Sequence, residues 1–202
     1  MTAGRPGGDR GQTLPIYIWM TGILLFVAFA FFAFAQAASA RNGAQSAADA
    51  AALAAAQDAR DELIDGLELS MGEGDDWLDW IAGDMFTGDG ARGAADALAA
   101  DNDSTVIAFG PAEVNGYPGF RAEIETKYTV GDSIIPGTES KHAKAHATAI
   151  IKPRCDAAPS SDPEKAVELR CDGGESIEID PDDFDQDDLP DASVLFSVHL
   201  AD

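Results

Sequence analysis

The sequence predicts an α+β fold, in which one long N-terminal helix leads into an antiparallel sheet. No charged residue occurs from Leu14 to Ala35, and no proline follows Pro15 before the end of a helical stretch at Leu69. Beyond residue 104 the helical hydrophobic period gives way to the alternation typical of strands. The order of one long helix, short helices and then strands indicates a sheet packed on the exported part of the helix.

The uncharged run 14–35 has the length of a membrane anchor, because about 20 helical residues cross a hydrocarbon core of roughly 30 Å. Arg5 and Arg10 precede it, so the positive-inside rule places the N-terminus in the cytoplasm and the remainder outside. Pro15 falls in the first helical turn, where its missing N–H costs little. The run therefore predicts a single-pass membrane protein.

A cleaved export signal is the alternative, since Ala33–Ala35 and Ala38–Ala40 both offer small residues at a cleavage site. The apolar part of a signal usually has about 7–15 residues, however, and this run is longer. A retained anchor is favoured, with four predicted regions. These are a cytoplasmic tail (1–13), a transmembrane segment (14–35), an exported helix extension (36–72) and an acidic extracytoplasmic α+β domain (73–202).

The helix extension changes its apolar side along its length. One side begins with Asn42, Gln45, Ser46 and Asp49, and alanines cover the other: Ala44, Ala47, Ala48, Ala51 and Ala55. Further on, the first side carries Leu53, Ile64 and Leu67, and the second carries Asp58, Glu62 and Asp65. Two partners explain the switch: the alanines pack on helices of other subunits, as small residues permit, and the leucine side packs on the chain's own domain. Alternatively, alanine is neutral and the switch has no meaning.

Short helices and then strands follow the long helix. Trp77 and Trp80 lie in a short amphipathic helix that covers the domain or rests on the membrane surface, and the acids around it favour the domain. Alternating apolar residues predict strands in 104–109, 120–130 and 143–152, the last two joined as a hairpin. A second hairpin is predicted around residues 172–174, and a final strand at 192–200.

Composition limits the classes of partner. The net charge is −23, with 13 Lys and Arg residues, so phosphate backbones and anionic lipid headgroups should repel the chain. Cys155 and Cys171 form an even pair in an exported chain, which favours a disulfide worth about 3 kcal/mol over two free thiols or an incomplete metal pair. His142, His146 and His199 show no spacing typical of zinc ligands.

Residues on both sides of the apolar run carry a family resemblance. Arg10 and Gly11 precede the run, and "QSAADAAALAAA" follows it at residues 45–56. Together they resemble the N-terminal region of the TadE/TadG-like proteins of the tight-adherence (Flp-type) pilus system. The resemblance implies a pilin-like exported domain and, as partners, other pilus or secretion-system subunits. Ile16 stands where processed pilin precursors have Glu, which places the chain closer to the unprocessed, membrane-retained TadG-like branch.

The acidic segment "DFDQDDLPD" is the one candidate for a metal site. Asp183, Asp185, Asp187 and Asp191 fall at positions 1, 3, 5 and 9, which resembles the calcium loops of thrombospondin type-3-like and dockerin-like repeats. Asp188 replaces the usual Gly at position 6, and Val194 replaces the Glu at position 12. A solvated acidic loop without an ion is the alternative.

The sequence contains no motif for catalysis, such as a nucleophile elbow, a zinc-protease helix or a phosphate loop. We therefore expect a structural component without enzymatic activity, catalytic residues or a small-molecule substrate. It would act by docking its helix and its domain on other subunits. The rival hypotheses are a minor pilin processed before Gln12, a secreted binding domain cleaved after Ala35 or Ala40, and an anchored enzyme.

Overall fold

The computed structural model describes residues 13–71, 76–83, 85–131, 140–158, 161–184 and 189–201. The helices and strands in these ranges are α1 Thr13–Ser70, α2 Trp77–Ala82, α3 Ala91–Asp101, β1 Ser104–Val114, β2 Tyr117–Thr129, β3 His142–Pro153, β4 Cys155–Ala157, β5 Val167–Cys171, β6 Ser176–Ile179, α4 Ala192–Leu195 and β7 Phe196–Ala201. The predicted α+β class, with a long N-terminal helix and an antiparallel sheet, is confirmed.

Helix α1 is unbroken over 58 residues. At 1.5 Å per residue it is about 87 Å long, so it is far longer than any bilayer is thick. Alanine, the best helix former, dominates its second half, and neither Gly43 nor Gly66 interrupts it. The helix ends at Ser70, whose hydroxyl donates to the carbonyl of Leu67 at 2.9 Å. The sequence placed this end within one residue.

The main sheet has four antiparallel strands in the order β1-β2-β3-β7. Alternate residues of β2, from Phe120 to Thr126, are buried and form part of its inner face, which packs on α1. The register places Ile124 between Val106 on β1 and Ala145 on β3. The predicted β2–β3 hairpin pairing is therefore confirmed, although its connection, residues 132–139, lies outside the described residues.

A second, smaller sheet has the order β4-β5-β6. Strands β5 and β6 are the predicted second hairpin, while β4 has three residues and was not predicted. The last predicted strand, 192–200, is wrong in its first half, where the chain makes the helical turn α4. Leu195 and Phe196 are both 1% exposed. The helical turn places Leu195 in the core directly before the strand residue Phe196.

The core lies between α1 and the inner face of the main sheet, with α3 beside α1 and α2 against its distal end. Ala40 is the first buried residue of α1, and burial continues to Leu67. Trp77 on α2 is fully buried, and its indole N–H donates to the carbonyl of Pro163 at 3.1 Å. We call this folded unit, from Ala40 onward, the head.

Candidate functional site

The N-terminal half of α1 is a long apolar surface that no part of the described chain covers. Its large side chains, from Leu14 to Phe34, are between 50% exposed at Ile23 and 76% exposed at Phe34. In the described part of the chain, α1 is long and apolar enough to cross a membrane. Its apolar stretch is not buried in the head. An apolar surface of this extent indicates contact with lipid or with other proteins.

The head begins directly where the apolar run ends. A Cβ placed on Gly131, just past β2, would lie 3.0 Å from Oε1 of Gln36. Two turns further along α1, a Cβ on Gly43 would overlap the hydroxyl of Tyr128, so this glycine leaves the space that the tyrosine occupies. The end of β2 therefore contacts α1 within a few residues of the predicted lipid boundary.

The five alanines predicted to contact other subunits lie in the core of the head. Ala44, Ala47, Ala48, Ala51 and Ala55 are all 0% exposed. The expectation that this side of α1 packs on neighbouring helices does not agree with the structure, because the chain's own sheet and α3 already cover it. Small side chains do allow close packing, but here they allow it within the chain: the alanine methyl groups let the sheet and α3 approach α1 closely.

The later apolar side of α1 packs on the chain's own domain. Leu67 is fully buried, and Leu53 and Ile64 pack half-buried against the core, as expected for a side that contacts the chain's own domain. A Cβ on Gly66 would overlap the indole ring of Trp80. The two helix glycines thus mark close approaches of aromatic side chains, and helix propensity alone did not reveal this role.

Glu62 connects α1 to the segment that leads into α3. Its carboxylate accepts hydrogen bonds from the Thr87 N–H (2.7 Å), the Thr87 hydroxyl (2.7 Å) and the Gly88 N–H (2.8 Å). Burial alone would raise the pKa of Glu62, but these three hydrogen bonds outweigh burial and lower the pKa below its ordinary value. No pattern in the sequence distinguishes Glu62 from the exposed acids beside it.

Asp58, one turn before Glu62, is under the opposite influence. Burial, together with the negative charges of Asp61 and Glu62, raises the pKa of its carboxyl group. Its oxygens lie where a Cβ on Gly90 would stand, so the carboxylate packs against the start of α3. Glu62 therefore holds the segment before α3 by hydrogen bonds, whereas Asp58 only packs against the start of α3.

The predicted polar side of α1 borders a cleft beside β3. Gln45 donates to Asp49 Oδ1 at 2.8 Å and to the carbonyl of His146 at 3.3 Å. The cleft has a volume of about 480 Å³ and is lined by Gln45, Asp49, Val114, Arg121, His146, Ala147, Thr148, Leu200 and Ala201.

The predicted disulfide is confirmed. Cys155 and Cys171 are bonded to each other and stand directly opposite on β4 and β5, with a Cα–Cα distance of 3.9 Å. Both cysteines of the sequence are used in this bond. It cross-links β4 and β5 within the small sheet.

The calcium prediction falls mostly on residues that the structure does not describe. Asp185 and Asp187 lie outside the described residues, while Asp183 and Asp191 are exposed on either side of them. Within the described part of the chain, no group of three or more His, Cys, Asp or Glu side chains has an arrangement that holds a metal ion. The calcium loop therefore stays a prediction.

Comparison with known families identifies one region of α1. Residues 11–58 match the Tad family, described as Flp pilus-assembly TadE/G-like. The match begins just before α1 and ends inside the head, so it includes the exposed apolar half and the first alanine-rich turns. It supports a component of a pilus system and does not separate TadE-like from TadG-like proteins. No curated protein and no solved structure matches the chain.

Proposed function

We propose that the chain is a membrane-anchored structural component of a Tad (Flp-type) pilus-assembly or secretion system, and that it acts by docking and not by catalysis. The observation that carries this proposal is the family match over residues 11–58, which covers the whole transition from an exposed apolar helix to a buried one. A chain related over this stretch shares the continuous helix that joins a lipid-embedded segment to a folded head.

In this proposal the tail 1–13 is cytoplasmic, residues 14–35 span the membrane and the head is outside. Arg5 and Arg10 support that orientation through the positive-inside rule. The disulfide supports it too, because disulfides persist in oxidising compartments. Ile16, at the position of the Glu that processed precursors have, favours a retained TadG-like chain.

The unbroken helix gives the anchor a mechanical consequence. Because α1 has no break between the apolar run and Ala40, the head cannot swivel freely on a loop and keeps a fixed height above the bilayer. A rigid head at a fixed height presents the same surfaces to every neighbour in the membrane. Docking among subunits is then a contact between preformed surfaces, which avoids the cost of ordering a linker.

A minor pilin in the filament is the second candidate, and the layout of the head favours it. A helix that runs from the apolar segment across a four-stranded antiparallel sheet is the pilin-like shape that the family implies. This role requires the chain to leave the lipid, and it would follow processing between Gly11 and Gln12.

Membrane fractionation followed by intact-mass measurement tests the proposal. We expect the chain in the membrane fraction with its N-terminal tail retained. A mature terminus at Gln12 in sheared filaments would instead establish the minor pilin. A soluble chain that starts after Ala35 or Ala40 would establish the secreted domain and overturn the pilus proposal.

A further inference from the structure

The outer face of the main sheet, on the other side of the strands from the buried inner face, collects basic side chains. Arg121 and Lys127 on β2 alternate with the buried inner residues, and Lys144 and Lys152 hold the equivalent positions on β3. His146 and His199 also lie on this face, and its acids on these two strands are Glu123 and Glu125. Lys144 forms an ion pair with Glu125 at 3.0 Å. We call this surface the sheet basic face.

The sign of this face is opposite to that of the whole molecule. The chain has 36 acidic residues against 13 Lys and Arg. Four basic and two acidic side chains on β2 and β3 therefore make a local positive region on a protein of net charge −23. Such a region attracts an acidic partner surface and resists basic ones.

The opposite side of the head is acidic. Asp61 and Asp65 are exposed, and each lies two residues from the buried positions Ala59, Leu63 and Leu67. At 100° per residue, two positions place them on the far side of α1 from the core. Residues 58–68 contain five acids and one base, Arg60, whose guanidinium pairs with Asp61 at 3.0 Å. We call this surface the helix acidic face; exposed Asp76 and Asp79, at and in α2, add to its charge.

Both faces reach the distal part of the head. Tyr128 contacts α1 at Gly43, so the opposite end of β2 is distal. Near that end Phe120 packs against Gly88, whose N–H binds Glu62. Arg121 follows Phe120 and lines the cleft that Gln45 and Asp49 border. Lys152 lies toward the same distal end of the sheet, with its ammonium group 5.7 Å from the centre of the Tyr117 ring. Copies anchored by the same helix segment in one bilayer would therefore present the distal parts of both faces on the same side of the membrane.

We propose that the sheet basic face binds the helix acidic face of a second copy of this chain, so that anchored copies pack side by side in a row. This inference rests on the proposed function, because membrane anchoring holds the heads of neighbouring copies on the same side of one bilayer. The contact is heterologous: each copy offers one face to the copy on its left and the other face to the copy on its right. At physiological ionic strength charges are screened beyond about 8 Å. Complementary groups in direct contact therefore still attract each other, whereas the repulsion between the negative charges of two whole heads is reduced.

Energy transfer between donor- and acceptor-labelled full-length chains, co-reconstituted in phosphatidylcholine liposomes, tests the contact. The interface variant is Arg121→Glu with Lys152→Glu. The control is Lys165→Glu with Arg170→Glu, which makes the same change in net charge at exposed positions around β5. We expect the interface variant to need at least about tenfold higher surface density for half-maximal transfer. The control should behave as the wild type does.

A charge swap gives a second, independent readout. A chain with Asp61→Lys and Asp65→Lys should also fail to associate with itself, but it should associate with the Arg121→Glu, Lys152→Glu chain. Thermal unfolding of each variant, followed by circular dichroism, confirms that the heads are folded.

Three results would overturn the inference: no energy transfer for the wild type, equal loss in the interface variant and the control, or no recovery in the charge-swapped mixture. These results differ from a failure of the proposed function. A monomeric but anchored chain would overturn the row alone, whereas a soluble, cleaved chain in fractionation would overturn the anchor on which the row depends.

Discussion

The two halves of α1 form one continuous helix and yet have opposite side chains and opposite surroundings. From Leu14 to Phe34 the residues are large and apolar, and they stand exposed. From Ala40 to Ala59 most of them are alanines, and most of those are buried. The size of the side chains therefore indicates what surrounds each half of the helix. Fluid lipid can pack around bulky apolar groups of any shape, whereas the sheet and α3 of the folded head pack closely only against small side chains.

The halves also differ in what holds them in place. In the first half, each Leu, Ile, Phe or Val favours membrane insertion by about 0.3–0.6 kcal/mol, and the sum over many residues is decisive. In the second half, alanine side chains bury little area, so the close approach of the sheet and α3 has to supply the packing. A substitution in the first half should therefore change membrane insertion and leave head stability unchanged, and a substitution in the second half should do the reverse.

The largest expected effect is the loss of anchoring. Leu25→Arg places a charge near the centre of the apolar run and should disfavour insertion by about 2.5–3.5 kcal/mol. Gln57→Arg adds the same charge at an exposed position of the second half and should leave the chain in the membrane. Fractionation of both variants measures this. Equal membrane retention of the two would contradict the division of α1 into a lipid half and a head half.

Removal of the disulfide should weaken the head and spare the anchor. Cys155→Ala with Cys171→Ala releases a cross-link with a sequence separation of 16 residues and should lower the free energy of unfolding by about 3 kcal/mol. Denaturant unfolding of the full chain in detergent checks this value, and the reduced wild type serves as the matched control. An unchanged midpoint would show that the cross-link contributes nothing to the stability of the head.

The same substitution should destabilise the head in one half of α1 and leave it unaffected in the other. Gly66→Ala places a methyl group into the ring of Trp80 and should destabilise the head by about 1–3 kcal/mol, despite the higher helix propensity of alanine. Gly22→Ala meets no atom of the chain within 4 Å, so the head should be unaffected. Thermal unfolding distinguishes the two. A stabilised Gly66→Ala variant would mean that Trp80 does not need this position to be free of a Cβ.

Most of the fold was predictable from the sequence because its signals are local. The uncharged run, the absence of proline after Pro15 and the alternation in β2 determine the long helix and the strands. The turn α4 was not predictable, because tertiary burial of both Leu195 and Phe196 overrides strand propensity there.

The partners of the helix faces were harder to predict than the helix itself. An alanine is compatible with lipid, with another subunit and with the chain's own sheet, so Ala48 or Ala51 carries no signal for its partner. Glu62 is similar: its role depends on Thr87 and Gly88, which lie 25 and 26 residues away in sequence. Such roles arise only when the topology brings distant segments together.

The smallest expected effect concerns Glu62, and it depends on pH. Glu62→Gln removes a charged acceptor of three hydrogen bonds and should cost about 1–2 kcal/mol at neutral pH. The pKa of Glu62 is lowered on folding from its ordinary value of 4.5, so the carboxylate stabilises the head above that pH. This contribution is lost as the pH falls through the folded-state value. The stability difference between wild type and variant should therefore narrow below about pH 4.5.

Asp65→Asn is the matched control for this pH series, because it removes an exposed acid on the same helix with the same change in charge. Its effect should stay within about 0.5 kcal/mol. Asp58 depends on pH in the opposite sense. Burial and the charges of Asp61 and Glu62 raise its pKa on folding, so its ionised carboxylate destabilises the head at neutral pH. This destabilisation is relieved as the pH falls and the carboxyl group is protonated. Loss of the Glu62 charge also removes one cause of that rise, which makes Asp58 easier to ionise in the variant. A Glu62→Gln profile parallel to wild type down to pH 3 would show that the Thr87–Gly88 contact does not depend on the charge of Glu62, and that packing alone holds the α3 segment to the helix.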